Sequence, residues 1–242
     1  MSIAQFAYSG TELDALSEAD NYYSAILRYF ADHVGPRTIE VGAGIGTFAT
    51  HLLQCTGLSH LVLVEPAENN IPTLRRRFAE DARVQVVHGY LEDHLGTLSA
   101  DSVVAVNVLE HVEDDLTFLR AAHAVLALRG ALLLFVPAFG QLHGTLDEAF
   151  GHFRRYTKSA LRSKLSQAGF RVESIRYFNG PGVIPWWITG RVLRRRTLGS
   201  RAVRFYDRWM TPWVSRLERW WEPPIGQSII VIAQKTNTTG VL

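Results

Sequence analysis

The stretch Arg37-Thr-Ile-Glu-Val-Gly-Ala-Gly-Ile-Gly46 decides the fold. A short run with β-branched residues passes directly into glycines at alternate positions. Glycine is the residue that lets backbone turn tightly and approach a ligand with its N–H groups outward. The segment therefore predicts a strand, a turn beside a nucleotide-like ligand, and a helix from Thr47 to Gln54. On either side the pattern continues. HLVLVE (60 to 65), RVQVVH (83 to 88), SVVAVNV (102 to 108) and ALLLFV (131 to 136) read as further buried strands. Glu68 to Glu80 and Val112 to Leu128 read as the intervening helices, the second closed by Arg129-Gly130, and Ser17 to Val34 as a helix ahead of the first strand. Alternating strands and helices of this kind predict an α/β fold around a mostly parallel sheet.

With 242 residues, 47% of them hydrophobic and 20% charged, the chain suits one large α/β domain and excludes a small disulfide scaffold or a disordered chain. The lone Cys55 cannot form an internal disulfide and reads as a buried thiol in a reducing, cytoplasmic setting. Ala131 to Phe139, the longest apolar stretch, is far short of the roughly 20 residues of a membrane span. The stretch MSIAQFAYSG lacks the basic start of an export signal.

After the fifth strand comes a long loop, PAFGQLHGTLDEAFGHFRRY, which its length marks as functional. Thr157 then caps a helix ending at Gly169, and FRVESIRYF (170 to 178) and GQSIIVIAQK (226 to 235) give a sixth and a seventh strand. Between those two lies an insertion, residues 180 to 225, that holds all six tryptophans. From Gly180 to Glu222 it carries nine arginines against three acids, a net +6 where the rest of the chain carries −4. Its Val203, Tyr206, Met210, Trp213, Leu217 and Trp220 fall at helical spacing and predict an apolar stripe. Thr211-Pro212 reads as an N-cap followed by a first-turn proline, predicting two helices meeting at a kink.

Glu65-Pro66 ends the second strand, where a carboxylate can hold both hydroxyls of a ribose, a role that serves NAD and S-adenosylmethionine (SAM) equally. The glycine spacing is G-x-G-x-G rather than the G-x-G-x-x-G of dinucleotide enzymes. Glu40-Val-Gly42-Ala43-Gly44-Ile-Gly46, Glu65-Pro66, His88-Gly89-Tyr90-Leu91 and Asn107-Val108-Leu-Glu110-His111 occur in order at successive strand ends. Over about Tyr22 to Val136 this pattern resembles class I SAM-dependent methyltransferases. The resemblance implies a Rossmann-like seven-stranded fold with a helical insertion between strands six and seven. It implies SAM as cofactor, with S-adenosylhomocysteine as product. The cofactor would be bound by Tyr22 on a lid helix, Glu40, Gly42, Ala43, Gly44, Gly46, Glu65, Pro66, Gly89, Tyr90, Leu91, Asn107 and Val108. Tyr90 stands where the family commonly has an acid, which shifts adenine recognition to backbone and Leu91.

Methyl transfer from a sulfonium needs alignment more than acid–base help, but an oxygen or nitrogen acceptor has a proton to lose. His152 is the first candidate base and His143 the second; either reading competes with a purely structural one. Arg154, Arg155, Tyr156 and Trp213 are candidate acceptor contacts, with pairing of the arginines to Asp147 or Glu148 as the alternative. No metal ligands are assigned. The acceptor is expected to be a small molecule or one linked to a lipid or sugar. The insertion reads as its roof, or as a peripheral contact with the inner face of a membrane, or as a dimer surface. A non-catalytic module using the insertion on membrane or nucleic acid is a second class of function, nucleic acid being disfavoured by the helical stripe. An NAD-linked oxidoreductase is a third.

Overall fold

The computed structural model describes residues 16–236, so the N-terminal stretch read for an export signal lies outside it. Seven strands form: β1 (Arg37–Val41), β2 (His60–Glu65), β3 (Val84–His88), β4 (Ala100–Val106), β5 (Leu126–Pro137), β6 (Phe170–Phe178) and β7 (Ser228–Lys235). They lie in one sheet in the order β3-β2-β1-β4-β5-β7-β6. The first five are parallel, and β7 runs antiparallel between β5 and β6. Both faces are covered, as a parallel sheet requires. Along β5 the side chains alternate, Leu132, Leu134 and Val136 joining one core layer, Leu133 and Phe135 the other.

The helices are α1 (Asp20–Phe30), α2 (Thr47–Leu52), α3 (Ile71–Arg77), α4 (Asp115–Val125), α5 (Thr145–Phe150), α6 (Lys158–Gln167), α7 (Val183–Trp187), α8 (Ser200–Phe205) and α9 (Thr211–Trp220). Thr157 caps α6 through a hydrogen bond from the Ala160 N–H, 3.2 Å. The helix read to Leu128 stops three residues sooner: Leu126 is already extended and pairs with Ala100 of β4. A strand hydrogen bond there outcompetes the helical continuation that the leucines suggest, and Gly130 lies within β5 instead of capping a helix. The fourth strand ends at Val106, because Asn107 turns into a left-handed conformation, φ 53°. The long loop after β5 is not structureless. It contains α5, ended by Gly151 in a left-handed conformation, φ 77°.

The insertion departs most from expectation. No N-cap is present at Thr211, whose φ of −55° and ψ of −43° are helical. Instead α8 continues through a π turn, Tyr206–Met210, into α9, with the Thr211 N–H bonded to the Tyr206 carbonyl. The wider turn sits just ahead of Pro212, which has no N–H to give and would crowd an ordinary turn. The buried residues of this rod are Asp207, Thr211, Val214, Ser215 and Glu218, while Trp213, Leu217 and Trp220 face outward.

That inward polar face is fully used. Asp207 accepts hydrogen bonds from the Asn21 and Tyr22 backbone N–H groups, at 3.2 and 2.8 Å, and from the Asn21 amide. It thereby caps α1, whose own N-cap residue, Ala19, has no side-chain acceptor. Replacing Asp207 with Ala is expected to cost about 1 to 2 kcal/mol of stability. The midpoint of urea unfolding should fall at unchanged slope.

Candidate active site

Parallel sheets bind ligands outside the carboxyl ends of their strands, where the strand order reverses. Here that point lies between β1 and β4. A cavity of about 840 Å³ opens there. Gly42 and Gly44 after β1, Glu65 at the end of β2 with Pro66 beyond it, and Asn107 and Val108 after β4 all line it, as do Tyr22 and Tyr23 of α1.

The turn after β1 depends on positive φ at Gly42, Gly44 and Gly46, at 68°, 57° and 82°. A Cβ on Gly42 would also sit 2.6 Å from the Val108 side chain, so the turns after β1 and β4 can pack only with glycine there. Glu65 binds this turn to its own: its carboxylate accepts the Gly44 N–H at 2.7 Å, the Ala67 N–H at 2.9 Å and the Asn70 amide at 3.3 Å. Burial pushes the Glu65 carboxyl up, and these hydrogen bonds oppose it.

The other expected cofactor contacts divide. Glu40 is buried behind the turn, pushed up to about 8 by burial and by the charge of Glu65, and one of its oxygens has no partner. Ala43, Gly46, Gly89, Tyr90 and Leu91 do not line the cavity; Leu91 packs into the core and Tyr90 is exposed. Tyr22 reaches the cavity but also packs edge-on against Phe135 and Phe178, and Tyr23 packs on Phe48.

The rest of the wall comes from the loop after β5 and from the insertion. Phe150, His152 and Arg155 line the cavity, roofed by Trp186, Thr189, Ala202, Val203 and Tyr206. At their centre is Asp147, fully buried. It accepts His152 Nδ1 at 2.8 Å, Arg155 Nε at 2.7 Å, the Gly144 N–H at 3.1 Å and Trp186 Nε1 at 3.4 Å. Burial works against its charge, but His152 and Arg155 hold the carboxyl down to about 2. Gly151 turns the chain so that the His152 N–H also returns to the Asp147 carbonyl, 2.9 Å.

Arg155 lines the cavity but, like several other expected acceptor contacts, has partners within the protein, and Arg154, Tyr156 and Trp213 lie off the cavity. Arg155 points its guanidinium at Asp147 and the Ala138 carbonyl, with Trp186 stacked over it at 4.8 Å. Arg154 pairs with Asp115, 2.9 Å, outside the cavity. Tyr156 is buried, its hydroxyl bonded to Asp115 and the Leu109 carbonyl. Trp213 faces outward, because the polar side of its helix is the one that docks. His143 also lies off the cavity, its Nε2 against the His152 carbonyl at 3.3 Å.

Glu110 has no role in the sequence reading, although it stands in the motif after β4. It is wholly buried, and neither carboxylate oxygen accepts a hydrogen bond from another residue. Burial pushes its carboxyl up to about 8, so it is mainly protonated at neutral pH. Its Oε1 lies 4.0 Å from His152 Nε2. Burial and the neighbouring His152 lower His111 to about 4, leaving that ring neutral. Glu110, His111 and His152 could each offer a metal one ligand atom, and these atoms lie within 4.8 Å of one another.

Comparison with known proteins agrees with this architecture. Residues 16–175 match the family model described as a methyltransferase domain. The chain is 28% identical over 174 residues to probable S-adenosylmethionine-dependent methyltransferases from two strains of Mycobacterium tuberculosis. That alignment takes in 68% of this chain and 61% of theirs. Among solved structures, a SAM-dependent methyltransferase from Mesorhizobium loti superimposes with a TM-score of 0.62 at 16% identity, covering 89% of this chain and 98% of that one. A chain from the Haloferax volcanii complex of a methyltransferase with its Trm112 activator gives 0.64 at 13%, covering 96% and 98%. The chain belongs to the methyltransferase-domain family, with the class I fold, and the cofactor of that class is SAM.

The residues present fit this cofactor: a buried carboxylate at the tip of β2 and a glycine turn at the tip of β1 open onto one cavity. Glu65→Ala should weaken SAM and S-adenosylhomocysteine alike by roughly 10- to 100-fold, since a hydrogen bond to a charged group is worth about 1.5 to 3 kcal/mol and both ligands carry the same ribose. Calorimetric titration with each ligand measures this, and an effect on only one would contradict the role.

Glu110 also makes the stability of the fold depend on pH. Its folded-state value of about 8 lies above the ordinary 4.5, so between those pH values the folded protein binds more protons than the unfolded chain. Stability from this residue is therefore lost as pH rises through that window. Glu110→Gln keeps the neutral shape, and its melting temperature relative to wild type should climb from pH 5 to pH 8. A constant difference would show that Glu110 is not held protonated.

Proposed function

We propose that the chain transfers a methyl group from SAM to an oxygen or nitrogen of a small-molecule acceptor, or of one linked to a lipid or sugar, with His152 as general base. The observation that carries this reading is that His152, on the wall of the cavity that the strand tips also line, is held by the buried Asp147 carboxylate behind it. An ionised carboxylate only accepts, so Asp147 fixes the proton of His152 on Nδ1 and leaves Nε2 with its lone pair. The base is thus oriented before any acceptor arrives.

When bound, SAM supplies a methyl group on a positively charged sulfur. The chain's contribution is to hold donor and acceptor in line, exclude water and take a proton. Gly42, Gly44, Glu65 and Asn107 would position the donor. The roof of Trp186, Ala202, Val203 and Tyr206 would enclose the acceptor, and His152 Nε2 would receive its proton. Arg155, already committed to Asp147, acts by keeping that carboxylate charged and in place.

His152→Ala is expected to lower turnover by roughly 10² to 10⁴ while SAM affinity stays unchanged. Asp147→Asn should also lower turnover, because the amide can present a donor to Nδ1 and favour the wrong tautomer. Incubating labelled SAM with candidate acceptors, with the dissociation constant for SAM measured alongside, tests both. Unchanged turnover in His152→Ala would remove the base from the mechanism.

A further inference from the structure

Of the seventeen large apolar side chains exposed among the described residues, thirteen lie between Ile184 and Ile225. They are not scattered. Phe205, Trp209, Trp213, Leu217 and Trp220 follow one another at intervals of four, four, four and three along the rod from α8 to α9. Trp213 is 71% exposed, Leu217 61% and Trp220 85%. Ile184, Trp187, Ile188 and Val192 are likewise exposed at helical spacing along α7 and the π turn after it. Both runs turn other residues toward the cavity, Trp186 and Thr189 from the first, Val203 and Tyr206 from the second. Soluble proteins rarely leave so many large apolar groups in water unless something covers them.

The charges say what covers them. All three acids of this segment are spent inside the protein: Asp207 on α1, Glu218 on the Asn179 and Gly180 N–H groups at 2.8 Å each, and Glu222 on Lys158 and the Tyr177 N–H. The nine arginines remain almost unopposed, with Arg204 paired to an exposed Glu18. Arg208, Arg216 and Arg219 lie over the rings of Trp209, Trp213 and Trp220 at 5.7 to 5.9 Å. Arginine interleaved with outward tryptophan suits the boundary of a bilayer, where the ring enters the headgroup region and the guanidinium meets phosphate. No helix among the described residues is long and apolar enough to cross a membrane, so the contact would lie along its surface.

We infer that the outer face of the insertion docks on a lipid bilayer bearing anionic headgroups. This goes beyond methyl transfer and does not depend on the identity of the base. The test uses the full chain with phosphatidylcholine vesicles, with and without phosphatidylglycerol, in a flotation assay read together with tryptophan emission. Binding is expected to require the anionic lipid, to shift the emission to the blue and to weaken with salt. Trp209→Ala with Trp220→Ala should cut vesicle binding at least about tenfold, each ring losing its place in the headgroup layer. Arg216→Gln and Arg219→Gln should each cost about fivefold. Both residues are exposed, so this second pair keeps the test valid if the tryptophan variant folds poorly, with SAM affinity as the control for folding. Equal binding to neutral and anionic vesicles, or binding that survives all four substitutions, would overturn the inference. So would a dimer in sedimentation that the tryptophan variant dissociates while vesicles bind neither form, since the face would then belong to a second copy of the chain.

Discussion

The site is organised around one buried carboxylate. Asp147 gathers an imidazole, a guanidinium, an indole and a backbone N–H from four positions spread from residue 144 to residue 186. Burying an ionised group is costly unless its hydrogen bonds are fully made, and here they are. The consequence is structural before it is chemical. The loop after β5 is closed on itself through His152 and Arg155, and the beginning of the insertion is tied to that loop through Trp186. Removing the carboxylate would leave Arg155 buried without its partner, so loop and base stand or fall together.

Around this hub two kinds of packing meet. The sheet and its helices are held by apolar burial on both faces, with the tips of β1, β2 and β4 left to carry glycines and polar groups. The insertion is held the opposite way. Its docked side is polar, joined to α1 by Asp207, by Arg28 to Ser215 at 3.0 Å and by Tyr29 to the Glu218 carbonyl at 3.3 Å. Its apolar side is left over.

This contrast explains what could be read from the sequence. β1 and β2 are legible to the residue because each is a short run with β-branched residues that stops at an unmistakable turn, the glycines from Gly42 onward and Pro66. Gly42, Gly44, Glu65, Asn107 and Val108 are legible as a set because a strand tip constrains which residues can stand there, and all five line the cavity. Trp213 misleads because an apolar stripe ordinarily marks the buried side of a helix, and nothing local reveals that the polar side has found partners on α1. Asp147 appears only as a partner for arginine. Its tie to His152 depends on Gly151 reversing the chain, which is geometry that spacing alone does not express. Glu110 stands in a recognisable motif, but its isolation emerges only once the surrounding helices and loops exclude water.

The cap that Asp207 places on α1 means that the insertion is not an interchangeable cassette. The first turn of α1, which carries Tyr22 and Tyr23 to the cavity wall, takes its terminal hydrogen bonds from a residue 185 positions later in the chain. A relative's insertion grafted between β6 and β7 would need its own acceptor at that point, or Ala19 would have to become a capping residue. Diversification of the outer element is therefore coupled to the opposite end of the chain. An exchange of surface specificity by recombination would have to carry both pieces.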